Sequence, residues 1–134
     1  MPGPYHTDMN PRVHVLTHDL FFRAKIEATG AAVGVPVDFA TTASDLALLL
    51  QRAPAGPSGA LPGLVLVDLG HQAADPPATI RALKAGDSAP TVVAFGAHRD
   101  RDAFQAARDA GADRVLARSA FSERLPELLR SVLA

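Results

Sequence analysis

The stretch from Gly63 to Gly70, with the sequence GLVLVDLG, constrains the fold of this chain more than any other. Four consecutive branched aliphatic residues near glycines predict a short strand buried on both faces, as in the centre of a parallel sheet. The run ends on Asp68. Because ligands of open α/β sheets bind beyond the carboxyl ends of the strands, Asp68 is a candidate functional residue.

The composition favours alanine-rich helices that pack on a valine- and leucine-rich sheet. Of the 134 residues, 48% are hydrophobic and only 5% are aromatic. A chain of this length fits one domain, which buries about two-thirds of the surface exposed by the unfolded chain. The absence of cysteine excludes disulfides, thiolate metal sites and cysteine nucleophiles.

Charge and hydropathy exclude two classes of partner. With 13 basic and 14 acidic side chains, the formal net charge is −1, which is not the basic footprint of a nucleic-acid or anionic-lipid binder. No apolar run approaches the roughly 20 residues that span a bilayer. Residues 1–11 contain three prolines and no apolar signal-peptide core, so we expect a cytoplasmic protein.

Periodicity and capping residues predict a strand followed by a helix, five times over. We expect residues 1–11 to be a disordered tail and residues 12–134 to be one domain. Right-handed crossovers convert this order into a single doubly wound, five-stranded parallel sheet of the flavodoxin-like (βα)5 type. The expected strands are 12–17, 33–39, 64–68, 91–95 and 114–117. The expected helices run from a cap at Asp19 to Gly30, from Asp45 to Gln51 after a cap at Thr42 or Ser44, from Pro76 to Gly86, from Asp100 or Asp102 to Gly111, and onward from a cap at Ser122.

The order of elements, the acid after the first strand and the Asp that ends the third resemble the receiver (CheY-like) domain of bacterial response regulators. The segment from Ala106 to Asp113, AARDAGAD, is similar to the family's passage into its fifth strand. The resemblance covers residues 12–134. It implies that the aspartate ending strand three accepts a phosphoryl group from a histidine kinase. It also implies two acids that bind Mg²⁺, a Ser or Thr after strand four and a Lys-Pro pair after strand five.

Matched to this pattern, Asp68 takes the phosphoacceptor position. It shares the implied metal site with Asp19, while His18 stands in place of the other acid. Imidazole is a poor ligand for Mg²⁺, which prefers hard oxygen donors, so we expect weak Mg²⁺ binding.

The remaining phosphate-site positions also depart from the family. Gly96, or Phe95 if the register slips by one residue, stands where the hydroxyl is expected, and Arg118-Ser119 replaces Lys-Pro. Since a guanidinium can bind a carboxylate bidentately, we hypothesise that Arg118 pairs with Asp68 and holds the domain in one state. The resemblance therefore implies a stand-alone, atypical receiver that signals through protein–protein contacts, with phosphorylation of Asp68 impaired.

An alternative is a flavodoxin-like module that binds a small ligand or a transition metal. Imidazole and carboxylate groups suit Zn²⁺ or Ni²⁺ better than Mg²⁺, although loop histidines are more often merely solvated. Enzyme templates fail, since no glycine-rich phosphate loop follows the first strand, and we expect no enzymatic activity. The groups expected at the shared sheet edge are His18, Asp19, Asp68, His71 and His98.

The last two strand–helix units carry charges of alternating sign. An ordinary solvated surface explains such a pattern, but it also permits self-complementary pairing in a two-fold dimer. We therefore expect this face to dock a histidine kinase, a downstream partner or a second copy. Its charged residues are Arg101, Asp102, Arg108, Asp109, Arg114, Glu123, Arg124, Glu127 and Arg130.

Overall fold

In the computed structural model, which describes residues 12–52, 63–86 and 89–133, strands and helices alternate along the chain. The strands are β1 (Val13–Leu16), β2 (Val37–Ala40), β3 (Leu64–Asp68), β4 (Thr91–Gly96) and β5 (Arg114–Ala117). The helices are α1 (Leu20–Val33), α2 (Ala43–Arg52), α3 (Pro76–Leu83), α4 (Arg101–Ala110) and α5 (Arg118–Arg130), with short 3₁₀ turns at Gln72–Ala74 and Ser131–Leu133.

The five strands form one parallel sheet in the order β2-β1-β3-β4-β5. β3 is the central strand, and all five of its residues are buried. In its register Leu64 lies opposite both Val13 and Thr91, and Asp68 lies opposite Phe95. The predicted doubly wound (βα)5 fold is confirmed, with the GLVLVDLG stretch at its centre.

Alternate residues of the strands face two separate core clusters, one on each side of the sheet. In β3, Leu64 and Leu66 join the cluster under α1 and α5, while Val65 and Val67 join the cluster under α2, α3 and α4. The first cluster includes Phe22, Ile26, Phe95, Phe121, Leu125 and Leu129; the second includes Leu16, Leu46, Ile80, Ala94 and Ala107.

The prediction that Gly30 ends α1 was wrong. The helix continues to Val33 and ends at Gly34, which adopts the left-handed conformation at φ 77°. Gly30 lies inside the helix, at a point where the following loop passes close to the helix backbone. A Cβ on Gly30 would lie 2.7 Å from the carbonyl oxygen of Val35. Close packing, and not a turn, therefore requires the glycine. The predicted stop at Gly86 was also late, since α3 ends at Leu83.

The predicted cap at Ser122 was wrong as well. α5 begins at Arg118, directly after β5, and no side chain caps its N-terminus. Phe121 consequently lies inside the helix, where it is fully buried and stacks on Phe95 with 4.1 Å between the ring centroids. Because the helix starts earlier than predicted, Pro126 lies in the body of the helix and not in its first turns.

The predicted tail at residues 1–11 and the proline-rich loop at residues 53–62 lie outside the described residues. Among the helices that the structure does describe, none is both long and apolar enough to cross a membrane.

Candidate functional site

Asp68 is the last residue of the central strand and is only 1% exposed to solvent. The backbone after it turns tightly, since the amide of His71 donates to the carbonyl of Asp68 at 3.1 Å. Between them, the amide of Leu69 donates to the carbonyl of Phe95 on β4 at 2.9 Å. The loop that follows the candidate phosphoacceptor is thus tied to both strands of the central pair.

Both carboxylate oxygens of Asp68 accept hydrogen bonds from the protein. The Thr17 hydroxyl donates to Oδ2 at 2.7 Å, and the Gly70 amide donates to Oδ1 at 2.9 Å. Thr17 is itself buried. Charge-assisted hydrogen bonds of this length are among the stronger polar contacts in a protein interior. Each oxygen of the carboxylate thus has one donor from the protein.

Sequence reasoning missed Thr17 as a residue of this site. The signal was present in the topology: Leu16 of β1 lies opposite Val67 of β3, so the next residues, Thr17 and Asp68, are neighbours at the strand ends. In the matching of the sequence to the receiver pattern, the metal-binding positions were instead assigned one and two residues later, to His18 and Asp19.

Asp19 caps α1 and does not contact Asp68. Its Oδ1 accepts hydrogen bonds from the amides of Phe21 at 2.9 Å and Phe22 at 3.2 Å, and its own amide donates to the Thr17 hydroxyl oxygen at 3.0 Å. A carboxylate at a helix N-terminus satisfies free backbone donors and interacts favourably with the helix dipole. Asp19 is therefore used for the helix start.

Two of the histidines at this edge, His18 and His71, form a close, tilted ring pair. The rings of His18 and His71 lie 4.2 Å apart at an interplanar angle of 33°. His71 is buried and its Nε2 is hydrogen-bonded to the carbonyl oxygen of Thr41, whereas His18 is exposed. His98 is exposed in the loop after β4.

The structure does not assemble the expected metal ligands. Within residues 12–52, 63–86 and 89–133, no three histidine, aspartate or glutamate side chains are placed to hold one ion. Each oxygen of Asp68 accepts one hydrogen bond, and Oδ1 of Asp19 accepts two. In this arrangement the side chains do not form the group of several ligands that Mg²⁺ or a mixed imidazole–carboxylate site would need.

Gly96 ends β4 and is covered by Leu69. A Cβ on Gly96 would lie 3.1 Å from the Cβ of Leu69 and 3.5 Å from a ring carbon of Phe104. Leu69 is itself buried. The space that a serine or threonine side chain would need at this position is filled by a leucine. The alternative position, Phe95, is fully buried in the aromatic cluster and carries no polar group either.

Arg118 lies at the rim of the site but does not pair with Asp68. Its Nη2 is 3.2 Å from the place where a Cβ on Gly70 would lie, and its guanidinium carbon is 5.3 Å from the centre of the Phe22 ring. No Arg118 nitrogen lies within 4.0 Å of an Asp68 oxygen. The hypothesised bidentate pair is not formed, and the hydrogen bonds to Asp68 come from Thr17 and Gly70.

No family model and no curated protein matches the sequence. Solved structures do match the fold, and all three described here are response regulators. A receiver protein from Burkholderia phymatum is 24% identical, with a TM-score of 0.69 over 92% of this chain and 94% of its own. A signal receiver domain from Bermanella marisrubri is 20% identical, with a TM-score of 0.73 over 92% and 99%. A putative response regulator from Chloroflexus aurantiacus is 16% identical, with a TM-score of 0.73 over 90% and 95%. This chain therefore has the fold of receiver domains.

Proposed function

We propose that this chain is an atypical receiver that acts in cytoplasmic signal transduction through protein–protein contacts, with phosphorylation of Asp68 impaired. One observation carries the proposal. Asp68 stands at the carboxyl end of the central strand of a receiver fold, yet it is buried and both its oxygens are hydrogen-bonded to Thr17 and Gly70.

The chemistry of phosphoryl transfer explains the impairment. A carboxylate nucleophile must present a free oxygen to phosphorus, and a divalent cation must neutralise the charge that develops. Here Oδ2 of Asp68 would first have to lose its 2.7 Å hydrogen bond from Thr17. Of the implied metal-binding acids, only Asp19 is a carboxylate, and its Oδ1 is engaged at the start of α1. Gly96 supplies no hydroxyl.

The rival function, a transition-metal or small-ligand module, is supported only by the close His18–His71 pair. That pair lacks a third ligand among the described residues, and His71 Nε2 is already hydrogen-bonded to Thr41. We expect calorimetric titration with Zn²⁺ or Ni²⁺ to give no heat of binding. Heat that disappears in the His18→Ala variant would favour the rival function.

We propose that the surface formed by α4, the edge strand β5 and α5 (the α4–α5 face) docks the signalling partner, a histidine kinase or a downstream protein. Arg108 on α4 and Arg124 on α5 are both exposed there. α4 carries both basic and acidic side chains. The face can therefore form specific ion pairs with a partner but has little overall attraction for a charged protein.

The proposal is tested by capturing partners from cells with wild-type protein and two variants. We expect Asp68→Asn to capture the same protein as the wild type, because the contact does not need a phosphoryl group. We expect Arg108→Glu combined with Arg124→Glu to lose that protein. A partner whose capture depends on Asp68, or which tolerates both charge reversals, would contradict the proposal.

A further inference from the structure

Helix α1 begins with two of the most exposed apolar side chains that the structure describes. Leu20 is 78% exposed and Phe21 is 73% exposed. Leu20, Ala24, Glu27 and Ala31 recur at spacings of four, three and four residues, so they form one stripe along the helix, and all four are exposed. Apolar side chains this large on an otherwise small-residue face indicate a contact surface.

An apolar groove lies at the opposite end of the same helix. It has a volume of about 310 Å³ and runs between the last turns of α1 and the start of β2. Gly34, directly after the end of the helix, leaves this part of the groove without a side chain, and a Cβ there would meet no atom within 4 Å. Its lining residues are Glu27, Gly30, Ala31, Gly34, Val35, Pro36 and Val37.

Two opposite charges lie on the groove side of the stripe. Arg23 and Glu27 are one helical turn apart, and both are exposed. The guanidinium of Arg23 lies over the Phe39 ring of β2, 4.8 Å from its centre, while Glu27 lines the groove. In the described part of the chain, neither side chain has an ion-pair partner within 4.0 Å.

We propose that α1 packs antiparallel against α1 of a second copy of this chain, about a two-fold axis that is level with Lys25 along the helix but lies on the opposite side, between Arg23 and Glu27. Such an axis brings together residues that are equally far along the helix from this level. Arg23 of each copy lies opposite Glu27 of the other, and Leu20 of each copy lies level with Gly30, beside the part of the groove that Ala31 and Gly34 line. Leu20 lies ten residues from Gly30, about 15 Å along the helix at 1.5 Å per residue. Each copy thus inserts its leucine into the other's groove.

Two-fold symmetry favours a second copy of the chain as the partner that contacts the groove on α1. A two-fold interface must be self-complementary, and in an antiparallel helix pair the same flank of each helix faces the other. The flank that carries the groove also carries Arg23, Glu27 and Leu20. In the dimer, Leu20 of each copy therefore contacts the groove of the other, and two Arg23–Glu27 ion pairs form between the copies. A partner with unrelated chemistry would not need all three features on one helix.

The sequence suggested the last two units as the dimer contact, but their surface chemistry is different. Between Arg101 and Arg130 the structure exposes no large hydrophobic side chain, whereas α1 exposes Leu20 and Phe21. We therefore assign self-association to α1 and leave the α4–α5 face to the signalling partner.

The first test is sedimentation equilibrium of the full chain over a wide concentration range. We expect a monomer–dimer equilibrium whose Kd rises at least about tenfold in Leu20→Glu, since two leucines per dimer lose their buried position. Leu48→Glu is the matched control, because Leu48 is also exposed (54%) but lies on α2. A wild-type chain that is monomeric throughout, or equal effects of the two variants, would overturn the proposal.

The second test is a charge exchange. Arg23→Glu alone and Glu27→Arg alone each place like charges opposite one another, so we expect each to raise the Kd by about tenfold. The double variant restores opposite charges and should dimerise within about twofold of the wild type. If the double variant is as weak as either single variant, the antiparallel register is wrong.

Both tests are independent of the proposed receiver function. Neither changes Asp68 or the α4–α5 face, and Asp68→Asn should dimerise like the wild type. Circular dichroism of each variant establishes that it is folded, which the exposure of Leu20, Arg23 and Glu27 leads us to expect. A failure of the dimer proposal would leave the partner-capture result unchanged.

Discussion

At the scale of single residues, the site is defined by a buried acid and an uncharged donor. The hydroxyl of Thr17 donates to Asp68 and also accepts the amide of Asp19, so one side chain connects the central strand to the start of α1. A buried carboxylate is costly unless it is hydrogen-bonded. Thr17 and the amide of Gly70 meet that requirement, which makes the site a closed structural unit.

The Thr17→Val substitution keeps the shape of the side chain and removes only the donor. We expect it to lower the free energy of unfolding by about 1–3 kcal/mol, because Oδ2 of Asp68 loses its partner while remaining buried. Urea denaturation measures the change. Thr17→Ser, which keeps the hydroxyl, should lose clearly less. Equal stability of the valine variant and the wild type would show that this hydrogen bond contributes nothing.

His14 is a second buried polar residue, in the middle of β1. Its Nδ1 has no hydrogen-bond partner. Burial lowers the pKa of His14 below its ordinary value of 6.5, while the charge of Asp38, opposite it on β2, acts in the other direction. The unfolded chain therefore takes up a proton at this residue more readily than the folded protein does.

The neutral, buried His14 should therefore make its full contribution to stability above pH 6.5, its ordinary pKa. That contribution should be lost as the pH falls from 6.5 toward the lower pKa of His14 in the folded protein. The measurement is the free energy of unfolding at about pH 7.5 and about pH 5 for wild type and His14→Leu. We expect a smaller difference between the two pH values in the variant. An unchanged difference would assign the pH dependence to other groups.

At the scale of elements, local sequence signals predicted most strands and most helix starts, but the second strand begins at Val37 and not at residue 33. Asp19 and Asp100 cap their helices through hydrogen bonds to backbone amides, and Gly111 ends α4 in the left-handed conformation. Local sequence signals did not predict helix ends that depend on contacts with other parts of the fold. Gly30 and Gly34 both look like helix stops, and only the approach of Val35 to Gly30 distinguishes them.

This difference gives a matched pair of substitutions. In Gly30→Ala the new Cβ meets a backbone oxygen that no rotamer change can move, so we expect a loss of about 3 kcal/mol in the free energy of unfolding. Gly34→Ala meets no atom within 4 Å and has only the strain of its positive φ, which costs about 1 kcal/mol. Chemical denaturation compares them. A larger loss for Gly34→Ala would contradict this account of α1.

At the scale of the whole molecule, the sequence located the site better than it described it. The buried aliphatic run predicted a central strand ending on Asp68, and parallel topology brings Gly96 and Arg118 to the same edge. The contacts could not be predicted, because they depend on which side chains turn inward. Leu69 covers Gly96, and the hydroxyl of Thr17 donates a hydrogen bond to Asp68, although neither Leu69 nor Thr17 was predicted to belong to the site.

We propose that Asp68 occupies the acceptor position of a receiver fold in a closed, hydrogen-bonded state. The most direct test is intact-mass measurement after incubation with acetyl phosphate and Mg²⁺, with a phosphorylation-competent receiver treated in parallel. We expect the wild type to gain a phosphoryl group in at most a minor fraction of molecules, far below the competent receiver. Full conversion of the wild type, absent in Asp68→Asn, would contradict the account.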